Sequence, residues 1–235
     1  FWIDETGNHY VHSTYQDAKD LLPAQVVTDI ESYKDKDPNW WNIYGLGLIG
    51  KIEGLVHPNF KQIDELPKDK GTIVYGLDFG FSSDPTVLTK NVIIGDNLYS
   101  QQLLWNNTGL TNDQIAQQMD LLKVGREPIG ADPSEPKSIE EISQKGFNCL
   151  EAAKGPGSKA FGIQKVNQYY QHWTKDSLEC IKEQRNYRYM KDKVTGLLTD
   201  KTTHQWSHGM DSRRYGVSIA RKHIGGSNVV MQEIR

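Results

Sequence analysis

The stretch Gly71-Thr-Ile-Val-Tyr-Gly-Leu-Asp78-Phe-Gly-Phe-Ser-Ser-Asp84-Pro85 decides how this chain folds. Residues Thr72 to Gly76 mix β-branched and aromatic side chains without a charge, which is typical of a strand covered on both faces. The strand then reaches a carboxylate, Asp78, directly before a turn rich in Gly, Ser and Pro. Because an unpaired buried charge is unfavourable, Asp78 either accepts hydrogen bonds from the amides of Gly80 to Ser82 or binds a cation.

Strands and helices alternate after this first strand. Turn residues at 95–97 predict a hairpin of two further strands. Helices are predicted from their capping residues Thr111, Ser138, Ser158 and Ser207, and the third of these carries an apolar face that runs on to Trp173. Short strands are expected over 128–132 and 147–152, and a second hairpin over 178–196. Three antiparallel strands followed by strand–helix–strand crossovers predict an α/β fold, a mixed sheet flanked by helices on both faces.

Length and composition bound the architecture further. At 235 residues, 37% hydrophobic and 24% charged, the chain is long enough for one large domain or for a domain with a smaller piece. No apolar run approaches the roughly 18 residues that a membrane-spanning helix needs, and no signal-peptide pattern is visible. The two cysteines, Cys149 and Cys180, are too few for a disulfide framework, so we expect buried free thiols in a reducing compartment.

Residues 1–66 are predicted to be an extended lead-in, and residues 67–235 the main domain. The lead-in contains a short helix opened by Pro23 and ends in a polar linker at 61–70. No G-x-x-x-x-G-K-[ST] phosphate loop occurs in the chain, so the sequence carries no visible ATPase motif. The first residue is not Met, which favours a fragment of a longer polypeptide.

Charge is distributed unevenly along the chain. The segments 1–70, 71–150 and 151–235 carry net charges of −5, −5 and +7, although the whole chain carries only −3. An acidic first part and a basic last third fit a polyanionic substrate held over cations that carboxylates bind. An ordinary solvated surface would also produce such a gradient.

Three aspartates and one histidine stand where a site is expected. Asp78 and Asp132 each end a strand, and ligands of open α/β sheets bind beyond the carboxyl ends of the strands. Asp211 lies in the first turn of the last helix, on the same stripe as His208 and Tyr215. Carboxylates in this number suit Mg²⁺ or Mn²⁺, and two such ions would serve phosphodiester hydrolysis. His208 would be an outer ligand, a proton-transfer group or an orienting partner of Asp211.

Each of these residues also has a structural interpretation. Asp132 precedes Pro133 and is a common turn residue, and Asp211 would form a surface ion pair with Arg213 or Arg214. His208 would then be a surface residue. If the site is real, cations flanking it would position nucleic acid. The candidates are Lys137, Lys154, Lys159, Arg213, Arg214, Arg221 and Lys222.

Four segments carry a family resemblance. They are Tyr75-Gly-Leu-Asp78-Phe-Gly-Phe-Ser-Ser-Asp84-Pro, Ala131-Asp132-Pro-Ser-Glu135-Pro-Lys137-Ser-Ile, Ala153-Lys154-Gly-Pro-Gly-Ser158 and His208-Gly-Met-Asp211-Ser-Arg-Arg-Tyr215. Together they resemble the large terminase subunits of tailed bacteriophages, most closely the branch found in phage and prophage relatives of Bacillus viruses. At Gly209 the chain departs from the family pattern, in which a bulkier residue is common.

The resemblance implies a ribonuclease-H-like endonuclease domain that cuts concatemeric viral double-stranded DNA during genome packaging. It implies that Asp78, Asp132 and Asp211 are the catalytic, metal-binding acids and that His208 accompanies them. Residues 1–66 would be the end of the preceding ATPase domain, the portal and the small terminase subunit would be partners of the full-length protein, and the host cytoplasm its location. Two alternatives stay open: another ribonuclease-H-like enzyme of the junction-resolvase or transposase type, and a non-catalytic module that binds DNA or the portal.

Overall fold

A computed structural model describes residues 2–3, 9–10, 13–36, 41, 45–47, 54–68, 71–80, 84–192 and 195–220. The chain divides into two compact units, Phe1–Glu53 and Gly54–Arg235. No helix in the described part of the chain combines the length and apolar character of a membrane-spanning segment.

The first unit contains short elements. Two strands, β1 (Trp2–Ile3) and β2 (His9–Tyr10), pair antiparallel. A 3-10 helix over Tyr15–Leu21 is capped by Thr14, and it precedes helix α1 (Ala24–Lys36). Helix α1 confirms the prediction of a helix after Pro23.

The second unit is built on a seven-stranded mixed sheet. Its strands, in chain order, are β3 (Phe60–Ile63), β4 (Thr72–Asp78), β5 (Thr86–Ile94), β6 (Asn97–Asn106), β7 (Ile129–Ala131), β8 (Cys149–Glu151) and β9 (Tyr170–Thr174). They lie side by side in the order β3-β9-β6-β5-β4-β7-β8. Strands β4, β5 and β6 are antiparallel, and the remaining neighbours are parallel. The predicted mixed sheet, with a buried strand that ends at Asp78, is therefore confirmed.

Helices cover both faces of this sheet. They are α2 (Asn112–Leu121), α3 (Pro136–Gln144), α4 (Ser158–Asn167), α5 (Leu178–Asn186) and α6 (His208–Ile219). Tyr75 and Leu77 point to one face, where they share a buried apolar cluster with residues of α2 and α3. The other face carries a second cluster, to which α4, α5 and α6 contribute. A separate two-stranded ribbon, β10 (Tyr189–Lys191) with β11 (Leu198–Thr202), precedes α6.

Glycines let α6 approach the centre of the sheet. A Cβ on Gly76 of β4 would collide with the backbone carbonyl of Ser212, and one on Gly130 of β7 would collide with that of Tyr215. Ser212 Oγ donates to the carbonyl oxygen of Gly76 at 2.8 Å and contacts Thr89 Oγ1 at 3.0 Å. This contact anchors α6 directly over β4 and β7, the strands that end at Asp78 and Asp132.

Some details differ from the prediction. The segment expected as the first strand of the second hairpin is α5, and the hairpin lies farther along the chain, between β10 and β11. Helix α4 ends at Asn167, so Tyr170 and Trp173 belong to β9 instead. The caps also differ, because α3 begins at Pro136 after Glu135 and α4 begins after Gly157. A proline at the first helical position and a glycine with φ of 78° supply these starts in place of the serine side chains.

The boundary of the second unit also lies earlier than residue 67. Strand β3, within the predicted lead-in and linker, pairs in parallel with β9 along four residues. Val56 is buried in the second apolar cluster. The compact unit therefore begins at Gly54. The interpretation of the preceding residues as the end of an ATPase domain stays a prediction.

Candidate metal centre

Asp78 lies at the end of β4 and is only 8% exposed. Its Oδ2 lies 3.1 Å from Nδ1 of His208, the first residue of α6. Burial raises the pKa of Asp78 to about 7, the charges of Asp211 and Asp132 add to the rise, and the His208 contact opposes it. The turn alternative is not what the described residues show, because the amide of Gly80 donates to Thr86 Oγ1. Residues 81 and 82 of that alternative lie outside the described part of the chain.

Asp132 follows β7, the parallel neighbour of β4. The register pairs Leu77 with Ala131, so the residues that follow, Asp78 and Asp132, leave the sheet side by side. Asp132 Oδ1 accepts the amide of Ser134 at 2.9 Å. This is the predicted turn contact, and it orients the carboxylate without removing it from the edge of the sheet.

Asp211 reaches the same edge from α6. Its Oδ1 accepts from Arg214 Nε at 3.0 Å and Nη2 at 2.9 Å, and its Oδ2 lies 3.6 Å from Lys159 Nζ. The ion pair with Arg214 was expected, but on the surface. Both side chains are instead buried, so the guanidinium orients Asp211 in a medium of low polarity.

Tyr215, on the same helix as Asp211, is buried over Gly130 of β7. Burial raises the pKa of its hydroxyl well above the ordinary value, and the charges of Asp211, Asp78 and Asp132 contribute in that order. The packing of α6 over Gly76 and Gly130 brings Asp211 to the edge of the sheet where β4 and β7 end. The fold thus brings the three predicted acids to one edge of the sheet, and their assignment as metal ligands stays a prediction.

Glu183, which was not singled out from the sequence, holds the start of α6. Its Oε1 accepts the amide of His208 at 3.1 Å and its Oε2 that of Gly209 at 2.5 Å. Burial raises the pKa of this carboxyl to about 7. A Cβ at residue 209 would lie 2.6 Å from Cys180 Sγ and 3.1 Å from Glu183 Oε2. Gly209 departs from the family pattern at a position where the start of α6 packs too closely against α5 to leave room for a larger side chain.

His208 faces a second group of side chains as well. Its Nε2 lies 3.9 Å from Asp84 Oδ1, and its ring makes an edge contact with His204 at 5.4 Å between centroids. Within the described ranges, Asp84, His204 and His208 are the group of three potential metal ligands whose ligand atoms all lie within 4.8 Å of one another. They line a cleft of about 300 Å³ together with Trp105 and Trp206.

The predicted DNA-binding cations divide into exposed and buried ones. Lys137, Lys154 and Lys159 are exposed. Arg213 is wrong as a DNA contact, because its guanidinium is fully buried, stacks on Trp173 at 4.8 Å and donates to Gln171. Arg214 is likewise buried against Asp211. Arg221 and Lys222 lie outside the described residues.

The two cysteines are as predicted, and two aromatic residues of β9 differ in burial. Cys149 and Cys180 are both buried and free, as expected. Trp173 is fully buried, whereas Tyr170, on the same strand β9, is 73% exposed. The strand geometry of β9 explains the difference, because alternate residues point to opposite sides.

Comparison with known protein families gives a match over most of the second unit. The model of the terminase RNase H-like domain family matches residues 78–218. The PBSX phage terminase large subunit of Bacillus subtilis strain 168 is 30% identical over 212 residues, which cover 86% of this chain and 48% of the relative. The chain therefore spans about half the length of this curated relative.

Solved structures share the fold. The nuclease domain of the large terminase g2p from bacteriophage SPP1, solved with bound Mn, superposes with a TM-score of 0.60 at 23% identity, over 68% of this chain and 96% of that one. The large terminase nuclease of thermophilic phage G20c, solved with bound magnesium, gives 0.53 at 18% identity over 72% and 98%. At these identities the superpositions establish that the arrangement of strands and helices is the same.

Proposed function

We propose that this chain, which belongs to the terminase RNase H-like domain family, is the nuclease part of a phage terminase large subunit. In this proposal it cuts concatemeric viral double-stranded DNA during genome packaging, with divalent metal ions as cofactors. The observation that supports the proposal most is that Asp78 and Asp132 end neighbouring parallel strands, and that α6, with Asp211 in its first turn, packs over these strands.

The donor set fits a hard divalent cation. Mg²⁺ and Mn²⁺ prefer a few carboxylate oxygens together with waters and phosphate oxygens, and the three aspartates offer such ligands at one edge of the sheet. Asp78 is the sharpest indication, because a buried carboxylate with negative neighbours is unfavourable until a cation balances it. The relatives from phages SPP1 and G20c were solved with bound Mn and magnesium. We propose two ions, shared among these three aspartates.

Ions bound there would activate a water molecule and neutralise the leaving oxygen of a phosphodiester. The chain's own residues orient the ligands. His208 holds Asp78 through Nδ1, and Arg214 with Lys159 holds Asp211. His208 is a titratable group in direct contact with Asp78, so we assign to it the transfer of a proton during cleavage.

DNA would be positioned by the exposed lysines Lys137, Lys154 and Lys159 around this edge. In the full-length protein, the ATPase that precedes this domain, the portal and the small terminase subunit would complete the packaging machine. Packaging of a viral genome takes place in the host cytoplasm, which is where we place the protein.

The test is nicking of supercoiled plasmid during titration with Mn²⁺ or Mg²⁺. Asp78→Asn is expected to reduce cutting by at least about 10²-fold, since it removes a charged metal ligand while keeping the shape of the side chain. The matched control, Asp120→Asn, makes the same change at an exposed position of α2 and should cut normally. Unaltered cutting by Asp78→Asn would exclude the proposal.

The kind of DNA that is cut, and whether any DNA is cut at all, distinguishes the proposed function from the two alternatives. Linear duplex should suffice here, whereas a resolvase or transposase requires branched or specific terminal DNA. Salt-dependent DNA binding without metal-dependent cleavage would indicate a non-catalytic module.

A further inference from the structure

A second potential ligand set lies on the opposite side of His208 from Asp78. Asp84 belongs to the segment after β4, His204 to the segment before α6, and His208 begins α6. Their ligand atoms all lie within 4.8 Å of one another. This set contains two imidazoles, whereas the aspartate cluster contains only carboxylates.

His208 is oriented as a metal-binding histidine would be. Its Nδ1 donates to Asp78 Oδ2 at 3.1 Å when that carboxylate is ionised, so Nε2 carries the free electron pair. Nε2 lies 3.9 Å from Asp84 Oδ1, and the His204 ring contacts the His208 ring edge to face. Histidines that bind metals commonly donate their other ring N–H to a carboxylate, which sets the tautomer and raises the basicity of the ligand atom.

The spacing of the three side chains also favours an ion over direct hydrogen bonds. The 3.9 Å between His208 Nε2 and Asp84 Oδ1 is too long for a hydrogen bond. Ligand atoms that each lie about 2.0–2.2 Å from a tetrahedral ion are roughly 3.3–3.6 Å apart. Only a small closing movement of the His204 and Asp84 side chains, both accessible to solvent, would complete the geometry.

We propose that Asp84, His204 and His208 form a separate site for a transition-metal ion, with Zn²⁺ as the expected occupant. Imidazole ligands favour Zn²⁺ over Mg²⁺, and three protein ligands leave a fourth position open to water from the adjoining cleft. An ion at this site occupies Nε2 of His208 and fixes the histidine that contacts Asp78. Zn²⁺ therefore inhibits DNA cutting, a consequence that rests on the proposed nuclease function.

Binding of Zn²⁺ alone, measured by calorimetry in the presence of saturating Mg²⁺, tests the site without any activity. Wild type should bind one more equivalent of Zn²⁺ than His204→Asn, or bind it at least about tenfold more tightly. The matched control is His172→Asn, the same change on β9, where the ring stacks on Tyr99. It should bind Zn²⁺ as wild type does. Equal stoichiometry and affinity in wild type and His204→Asn would overturn the site.

A second readout uses cobalt. Co²⁺ bound by imidazole gives visible absorption bands, and these bands should weaken in His204→Asn and in Asp84→Asn but not in His172→Asn. Identical spectra in all four proteins would contradict the proposed ligands.

Inhibition of plasmid nicking tests the consequence. With Mg²⁺ present, added Zn²⁺ should slow wild type and His172→Asn at least about tenfold more than His204→Asn, whose cutting without Zn²⁺ should equal that of wild type. Equal inhibition of wild type and His204→Asn would overturn the inhibitory role. If no protein cuts DNA, the nuclease proposal fails, whereas the calorimetric result still decides the zinc site.

Discussion

At the scale of single residues, Asp78 combines an expected cost to stability with its proposed role as a metal ligand. The carboxylate is buried, and the negative charges of Asp211 and Asp132 repel it. The hydrogen bond with His208 partly offsets this repulsion. We predict that Asp78→Asn stabilises the metal-free protein by about 1–3 kcal/mol, because the amide keeps the hydrogen bond from His208 and carries no charge. Urea unfolding in EDTA measures this difference.

The same experiment in Mg²⁺ or Mn²⁺ supplies the contrast. Ion binding to the folded state raises the unfolding midpoint of wild type, whereas the midpoint of Asp78→Asn should respond much less. Asp120→Asn, exposed on α2, should follow wild type under both conditions. A variant less stable than wild type in EDTA would show that Asp78 is a net stabilising residue.

We expect His57 to make the fold sensitive to acid. It is 1% exposed, and burial with the nearby charge of Arg213 lowers its pKa to about 3 from an ordinary value of 6.5. Its Nδ1 donates to Asn167 Oδ1 at 2.6 Å. Between pH 6.5 and 3 the unfolded chain binds a proton that the folded chain does not, so stability falls as the pH falls.

We predict that this residue alone contributes a loss of about 1.4 kcal/mol per pH unit below pH 6. The free energy of unfolding of His57→Asn, measured from about pH 7 to 4.5, should decline less steeply than that of wild type by this amount. Parallel pH profiles of the two proteins would rule out a neutral, buried His57.

At the scale of elements, α5 and α6 act together to place His208. Both carboxylate oxygens of Glu183 on α5 accept amides at the start of α6. We predict that Glu183→Gln loses about 1–3 kcal/mol of stability, because the side-chain amide group then faces a backbone N–H. Cutting by the folded variant should fall in kcat more than it rises in KM, since His208 moves relative to Asp78.

Glu179→Gln on the same helix is the control for this prediction. Glu179 contacts Lys182 at the surface, at 3.5 Å, and an exposed pair of this kind contributes less than about 1 kcal/mol. Cutting and stability of Glu179→Gln should match wild type. If Glu183→Gln also matched wild type, the amides of α6 would not depend on Glu183.

Elements with local sequence signals were predictable, and those fixed by distant contacts were not. The charge-free run in β4 and the Thr111 capping box identify their elements because local chemistry determines them. The adjacent apolar residues Cys180 and Ile181 favour a strand over 178–186, yet this segment forms α5, whose Gln184 hydrogen-bonds Trp173 of β9. The role of Glu183 could not be predicted either, because the amides that it accepts belong to residues 25 and 26 positions away in the sequence.

The site shows the same division. Asp78 and Asp132 could be placed together because each ends a strand, and ligands of open α/β sheets bind beyond the carboxyl ends of the strands. Asp211 was added because it lies in the first turn of the last helix. The burial of Arg213 and Arg214 could not be foreseen, since it results from the close approach of α6 to Gly76 and Gly130. The spacing of Asp211 and Arg214 in the sequence permits an ion pair but does not show whether that pair is buried or exposed.

At the scale of the whole molecule, the position of the boundary between the two units can be tested by truncation. We predict that residues 54–235 fold cooperatively and that residues 67–235 are markedly less stable. The shorter chain lacks β3, which pairs with β9, and it lacks Val56 and His57, both 1% exposed. Removing β3 also leaves the edge of β9 unpaired, which favours aggregation.

Circular dichroism and urea unfolding of the two fragments measure the difference, and the loss of one buried Val and its cavity alone is expected to cost about 1–3 kcal/mol. The double substitution Phe60→Ala/Val56→Ala in residues 54–235 should move the longer fragment part of the way toward the shorter one, because it weakens the same contacts without shortening the chain. Equal stability of both fragments would place the boundary at residue 67, with β3 a dispensable addition to a complete sheet. If residues 54–235 are instead the more stable fragment, as predicted, then β3 and the residues just before it belong to the same cooperative unit as β9, α4, α5 and α6.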